Sequence, residues 1–347
     1  MQRTTLGKTG IDVSAYCLGT MTFGSNTTET ESFEQLDASL DYGIDFLDTA
    51  EMYPVNPVKK ETVGVTEEII GRWNARSGRR SEYVIATKCA GVNGSFVREN
   101  QMVTGDIIKQ ACEASLKRLQ TDYIDLYQLH WPNRGSYHFR QIWGYDPSGQ
   151  NREETLAHTE DAMRALKDLV AEGKIRSFGL SNESAWGTMQ WLAAGERTGG
   201  PRIASVQNEY SHLCRMPNDG DMAELFHNEQ VTLLAFSPLA TGFVTGKYLD
   251  GAIPEKSRHQ ISGGSPRMSP RLDDAVRAYL AVAQKHDLDP VHLALAFCLH
   301  RPFPCIPIFG ATTIDQLRHI AKGLDVAVSK EVMEELMLAD RGNPMPF

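Results

Sequence analysis

Short apolar runs alternate with longer amphipathic stretches along nearly the whole chain. Residues 15–18, 44–49, 83–88, 123–130, 175–180, 203–207, 231–236 and 305–308 are the apolar runs. They are short and apolar, as expected of strands covered on both faces. Between them, helical patterns fall at 31–42, 67–75, 106–119, 161–172, 185–194, 222–228, 273–286, 291–300, 313–324 and 330–340. Gly43 and Gly173 stand where helix stops are expected. Strands that alternate with helices predict parallel strands joined by crossover helices. Eight such units predict an α/β fold that closes into a single (β/α)8 TIM barrel. A doubly wound open sheet would carry G-x-G-x-x-G at its first strand-to-helix turn. The turn here reads Gly19-Thr20-Met21-Thr22-Phe23-Gly24, which lacks that spacing.

Length sharpens the picture. The 347 residues suit either two domains of roughly 150 residues each or one barrel, typically about 250 residues, with insertions. The surplus has an address in the pattern. Residues 54–66, 132–154 and 249–270 are rich in Pro, Gly, Asn or Ser, and all follow strands. They are therefore predicted to lie at the C-terminal face of the barrel as lids and pocket walls. The expected organisation is one barrel domain over residues 1–347.

Composition removes several function classes. A hydrophobic fraction of 41% and a charged fraction of 23% are those of an ordinary globular chain. The formal net charge of −9 disfavours nucleic acid or anionic membrane as partner, because both draw affinity from basic surface. A local basic patch for one small anion stays open. The cysteines Cys17, Cys89, Cys112, Cys214, Cys298 and Cys305 form no C-x-x-C and no zinc-ligand spacing. Free thiols in a reducing compartment are expected. Residues 1–8 contain no apolar core of a secretory signal, and no run of 18 apolar residues occurs. A cytoplasmic location is expected.

Polar residues at the predicted strand ends form a small set. Asp48 ends the second strand, with Tyr53 five residues on. Lys88 ends the third, and His130, beside Trp131, ends the fourth. Alone, each has a plain structural role: a cap, a packed ring, a solvated amine, a pocket wall. Together, on consecutive strands at one barrel mouth, they suit proton transfer to a polarised oxygen. No H-x-H or clustered His and carboxylate set ends the strands, so no catalytic metal is expected.

The segments Asp48-Thr49-Ala50-Glu51-Met52-Tyr53, Thr87-Lys88 and Asp125-Leu126-Tyr127-Gln128-Leu129-His130-Trp131 resemble the tetrad motifs of the aldo-keto reductase superfamily. The resemblance runs from Leu6 to about Asp340. The stretch from Ala235 to Gly242, with Gly246-Lys247-Tyr248, is similar to Tas-like bacterial reductases and the potassium-channel β-subunit branch. The resemblance implies NADPH-dependent, reversible reduction of an aldehyde or ketone to an alcohol. Tyr53 would be the general acid. A free phenol has a pKa of about 10, and Lys88, held charged by Asp48, would lower it. His130 would orient the carbonyl oxygen, and Trp131 would wall the substrate pocket.

The same resemblance implies a nucleotide site. Ser181 and Asn182 would hold the carboxamide, Gln207 would take the matching role on the next strand, and Phe236 would face the nicotinamide. Ser237, Pro238, Leu239, Ala240 and Thr241, with Lys247 and Arg258, match the pyrophosphate and ribose-phosphate loop, and Tyr248 is their neighbour. Thr20, Met21 and Asp48 would also bind the cofactor. Gly310, Thr312 and Gln316 open the helix whose N-terminus would take the 2′-phosphate, a favoured place for an anion. Thr313 and Gln316 also fit a capping box. Where the family continues with Glu-Asn, this chain has His319-Ile320, so an adenine contact is expected to be lost, which leaves NADH use open. The stretch between Tyr53 and Glu67 is also extended. Trp131, Phe139, Trp143 and Tyr145 suggest a roomy aromatic pocket, better suited to aromatic aldehydes or bulky cyclic ketones than to small sugars. The alternative reading is a nicotinamide-binding regulatory or sensor module with slow redox turnover.

Overall fold

A computed structural model describes residues 1–265 and 267–347. It opens with an antiparallel hairpin, β1 (Arg3–Thr5) and β2 (Asp12–Ser14). The barrel strands follow: β3 (Cys17–Gly19), β4 (Phe46–Asp48), β5 (Val84–Cys89), β6 (Ile124–Leu129), β7 (Ile175–Ser181), β8 (Ile203–Glu209), β9 (Thr232–Phe236) and β10 (Cys305–Phe309). All eight pair in parallel, and β10 closes on β3. The predicted eight-stranded barrel is therefore present. The opening strand begins at Cys17, two residues later than its apolar run.

The hairpin was not legible, because three-residue strands show no period. Its Leu6, Ile11 and Val13 pack with Cys17, Phe46, Ala86, Leu126, Leu234 and Ile306, closing the N-terminal end of the barrel. The fit is close: at Gly7, with φ +53°, a Cβ would lie 2.5 Å from the Ala204 carbonyl oxygen.

Helices α1 (Glu29–Asp41), α2 (Val65–Ser77), α3 (Gly105–Leu119), α4 (Arg152–Ala171), α5 (Ala185–Thr198), α6 (Asp221–Glu229), the short α7 (Arg258–Ile261), α8 (Pro270–Lys285), α9 (Pro290–Leu299), α10 (Ile314–Ala321) and α11 (Lys330–Gly342) surround the strands. The larger hydrophobic core lies between helices and sheet. Helix α4 starts well before residue 161. The Asn151 side chain caps it by accepting from the Glu153 and Glu154 amides, and those two acids favour a helix N-terminus. Its first turns are largely exposed, so no apolar period announced them. No helix among the described residues is long and apolar enough to cross a membrane.

Strand alternation places the chemistry. Phe46, Ala86 and Leu126 belong to the inner core, so Asp48, Lys88 and Gln128, each two residues on, face the same interior one layer higher. The apolar floor ends where the polar layer begins.

Candidate active site

Lys88 anchors that layer. Its ammonium, fully buried, donates to Asp48 Oδ2 at 2.7 Å, the Thr49 carbonyl at 2.8 Å and the Tyr53 hydroxyl at 3.4 Å. The other Asp48 oxygen accepts from Gln207 Nε2 at 2.8 Å and Gln128 Nε2 at 3.3 Å. Burial alone would pull Lys88 down, but Asp48 and Tyr53 together lift it above its ordinary value. It stays a cation although it is out of water. A buried ion pair with every donor and acceptor engaged is rigid.

Tyr53 sits half-buried at the end of this chain of bonds. Burial pushes its phenol above the usual value more strongly than Lys88 draws it down. The direction is opposite to that expected from the Lys88 charge alone, because burial strips water from the phenolate. The phenol is consequently protonated at neutral pH, with a cation in place to stabilise the anion left after proton transfer. The His130 ring lies edge-on to Tyr53, centroids 5.9 Å apart, and tilted against Trp131 at 4.6 Å. Burial, then the Lys88 charge, holds His130 well below its ordinary value, so it is neutral and retains one N–H to donate. The Trp131 indole is fixed by donation to the Val92 carbonyl at 3.0 Å. Asp48, Tyr53, Lys88, His130 and Trp131 are thus brought together as expected.

The nucleotide candidates run across the mouth from β7 to α10. Asn182 Nδ2 donates to the His130 carbonyl at 2.9 Å and to Ser181 Oγ at 3.1 Å, and its φ is +54°. Its Oδ1 is buried with no partner among the described residues. Ser181 Oγ donates to the Gln207 carbonyl at 2.9 Å, while the Gln207 amide is committed to Asp48. Gln207 therefore braces Asp48. Thr20 is likewise structural, its hydroxyl donating to the Asp48 carbonyl at 2.9 Å, and the Met21 carbonyl accepts from the Val55 amide.

After β9, with Phe236 partly exposed at its end, the backbone turns through positive φ at Ser237, Ala240 and Thr241. Such strain, about 1–3 kcal/mol per residue, persists where surrounding structure holds it and clusters at ligand sites. Pro238 and Leu239 span this turn, and Thr241 Oγ1 is buried without a partner among the described residues. Lys247 is exposed, its amine 5.1 Å from the Tyr248 ring centroid. Arg258 forms no ion pair and donates no side-chain hydrogen bond to another described residue. Burial and the neighbouring Arg267 lower it to about 10. A buried guanidinium without an ion pair among the described residues suits an anionic group, and the unpartnered Asn182 Oδ1 and Thr241 Oγ1 suit the polar groups of a dinucleotide. Across the mouth, Gly310 precedes α10. Thr313 caps that helix, while Gln316 Oε1 accepts from the Thr312 amide at 2.8 Å and hydroxyl at 3.1 Å. The reciprocal half of the box thus falls on Thr312 rather than Thr313.

A profile of the Aldo/keto reductase family matches residues 15–340. The chain belongs to that family. It is 41% identical to Protein tas of Escherichia coli (strain K12) over 97% of this chain and 96% of that protein. It is 30% identical to a probable voltage-gated potassium channel subunit beta of Arabidopsis thaliana, covering 94% and 92% of the two chains. The crystal structure of a thermostable aldo-keto reductase, Tm1743, with the inhibitor epalrestat superposes with a TM-score of 0.69 at 26% identity, over 98% of this chain and all of that one. This is an NAD(P)H-dependent oxidoreductase acting on carbonyl groups.

The rim of this aldo-keto reductase holds residues that the sequence reading missed. Glu51 accepts from the Ala90 amide and from Arg98, tying the β4 and β5 loops together. Arg134 pairs with Glu183, fixing the 132–154 loop to the segment before α5. Arg267 pairs with Glu209 at the end of β8. A lone Arg or Glu in a loop carries no period, so pairing across loops was invisible. The extension after Tyr53 returns to its origin, since the Gly64 and Thr66 amides both donate to the Tyr53 carbonyl. Of the loop aromatics, Phe139 stands edge-on to Trp131 at 6.2 Å, Tyr145 packs on Tyr137, and Trp143 is 67% exposed. A cavity of about 230 Å³ lies behind Trp131, lined among others by Leu129, Asn133, His158 and Trp191.

Proposed function

We propose that this chain, acting as one barrel domain in the cytoplasm, reduces an aldehyde or ketone to its alcohol with NADPH. The observation that carries the reading is the Asp48–Lys88–Tyr53 chain beneath His130. The carbonyl oxygen lies between the Tyr53 hydroxyl and the His130 ring, and His130 donates to it and fixes its direction. A reduced nicotinamide, held by Asn182 and the Ser237–Thr241 turn, would supply the hydride for the carbonyl carbon. Tyr53 gives its proton to the oxygen as negative charge develops there. Lys88 stabilises the resulting phenolate, and Asp48, braced by Gln207 and Gln128, keeps Lys88 charged and in place. Positioned acids contribute roughly 10²–10⁴ in rate.

Asn182 supplies the unpartnered amide oxygen for the carboxamide, and Arg258 with the Ser237–Thr241 turn and Lys247 receives the pyrophosphate. Thr312 and Gln316, bonded to each other before α10, would take the 2′-phosphate of NADPH by exchanging that mutual bond for contacts to the phosphate. The edge-on pair Trp131 and Phe139 favours a flat or bulky apolar substrate, such as an aromatic aldehyde. NADPH oxidation with a panel of aromatic and aliphatic aldehydes, run beside NADH, tests the reading. Turnover with NADPH on aromatic aldehydes is expected. Tight nucleotide binding with no turnover on any of them would favour the sensor reading, to which the likeness to a channel subunit lends support.

A further inference from the structure

The first turn of α9 and the second half of α10 bring Asp289, His292 and His319 together. Their ligand atoms lie within 4.8 Å of one another. Asp289 caps α9: its Oδ1 accepts from the Val291 amide at 2.8 Å and the His292 amide at 3.1 Å. Those bonds fix the carboxylate and leave Oδ2 facing His319 Nε2 at 3.1 Å. His292 donates its Nε2 proton to the His319 carbonyl at 2.7 Å. That bond selects the tautomer whose Nδ1 carries the lone pair, and Nδ1 lies 3.9 Å from Asp289 Oδ1. The imidazole is also fixed sterically, for it packs where a Cβ on Gly323 would come within 2.1 Å of it.

We propose that Asp289, His292 and His319 form a binding site for a divalent transition metal of the zinc class. Two imidazoles and one carboxylate are a donor set for such ions, whereas magnesium and calcium take oxygen ligands. Tetrahedral zinc with nitrogen and oxygen ligands near 2.0–2.1 Å places neighbouring donors about 3.3 Å apart. His319 Nε2 and Asp289 Oδ2, 3.1 Å apart, stand close to that separation, and the three ligand atoms lie within 4.8 Å of one another. A histidine ligand whose second nitrogen donates to a backbone carbonyl is the usual outer arrangement of a metal site, and His292 has it already. Asp289 is 32% and His319 46% exposed, which leaves an entry path and open positions for water. No Lys or Arg among the described residues lies within ion-pair distance of Asp289, so no side-chain cation competes for its carboxylate. A second cluster, His286, Glu331 and Glu335, lacks that feature: Lys285 already pairs with Glu335 at 2.6 Å.

Calorimetric titration of the full, chelator-stripped chain with zinc chloride tests the site. One zinc ion per chain at micromolar or tighter affinity is expected, with magnesium chloride giving no binding. His319→Gln, on the exposed face, and Asp289→Asn, which keeps the cap, are each expected to weaken zinc binding at least about tenfold. His286→Gln is expected to leave it unchanged. Absence of zinc binding at micromolar concentration would overturn the site. So would affinity unaffected by both His319→Gln and Asp289→Asn, or affinity lost in His286→Gln.

Discussion

At the residue scale, the candidate site is built from charges that have lost their water and then depend on one another. Lys88 stays cationic in a dry layer because Asp48 faces it, and Asp48 keeps its orientation because Gln207 and Gln128 occupy its second oxygen. The same dry layer holds Tyr53 protonated and His130 neutral, the forms that a proton donor and a neutral hydrogen-bond donor require. Arg258 shows the converse, a buried cation with no carboxylate in ion-pair range among the described residues. Replacing it by Ala is expected to weaken NADPH and NADH alike, by about 10–100-fold, the worth of a hydrogen bond to a charged group. Gln316→Ala is expected to weaken NADPH alone. Fluorescence titration of both nucleotides against both variants separates the two roles. Asp48, Lys88 and His130 were legible because polar groups ending apolar runs stand out, and Tyr53 because it follows Asp48 in a motif that resembles the family's. Gln128 was not, since a single amide inside a strand has no pattern until the barrel shows which face it shares with Asp48.

At the scale of elements, packing overrides local preference where helices meet. Gly71 lies inside α2, where alanine is intrinsically better by about 1 kcal/mol. Yet a Cβ there would lie 2.0 Å from the Arg118 carbonyl oxygen of α3. Gly71→Ala is therefore expected to destabilise the protein by about 1–3 kcal/mol, the cost of overpacking, as read from a lowered urea midpoint. A raised midpoint would mean that α2 moves freely against α3. The eight strands and most helices were readable from period and punctuation. The N-terminal hairpin was too short to have a period, and the start of α4 was too exposed to show one. The rim ion pairs Glu51–Arg98 and Arg134–Glu183 join residues 47 and 49 apart in sequence, a relation that only the closed barrel creates.

At the scale of the whole molecule, buried neutral histidines tie stability to pH. His130 lies well below its ordinary value of 6.5, His138 at about 4 and His212 at about 3, in each case chiefly through burial. Between those values and 6.5 the unfolded chain binds more protons than the folded one, so stability falls as pH falls. Each such histidine contributes up to about 1.4 kcal/mol per pH unit. Glu67 and Asp340, raised by burial, act the other way as they gain their protons, but His158 and His259, also lowered by burial, join the three histidines. The urea midpoint is expected to drop between pH 6.5 and pH 4, and a flat or rising profile would contradict the burial of these rings. Surplus length, which at first suggested a second domain, instead builds the rim around Tyr53 and Trp131. The claim on which the function rests is that Tyr53 delivers the proton. The most direct test is the turnover number of Tyr53→Phe on an aromatic aldehyde, in protein that still binds NADPH with wild-type affinity. A fall of about 10²–10⁴-fold is the expected result, and turnover close to wild type would contradict it.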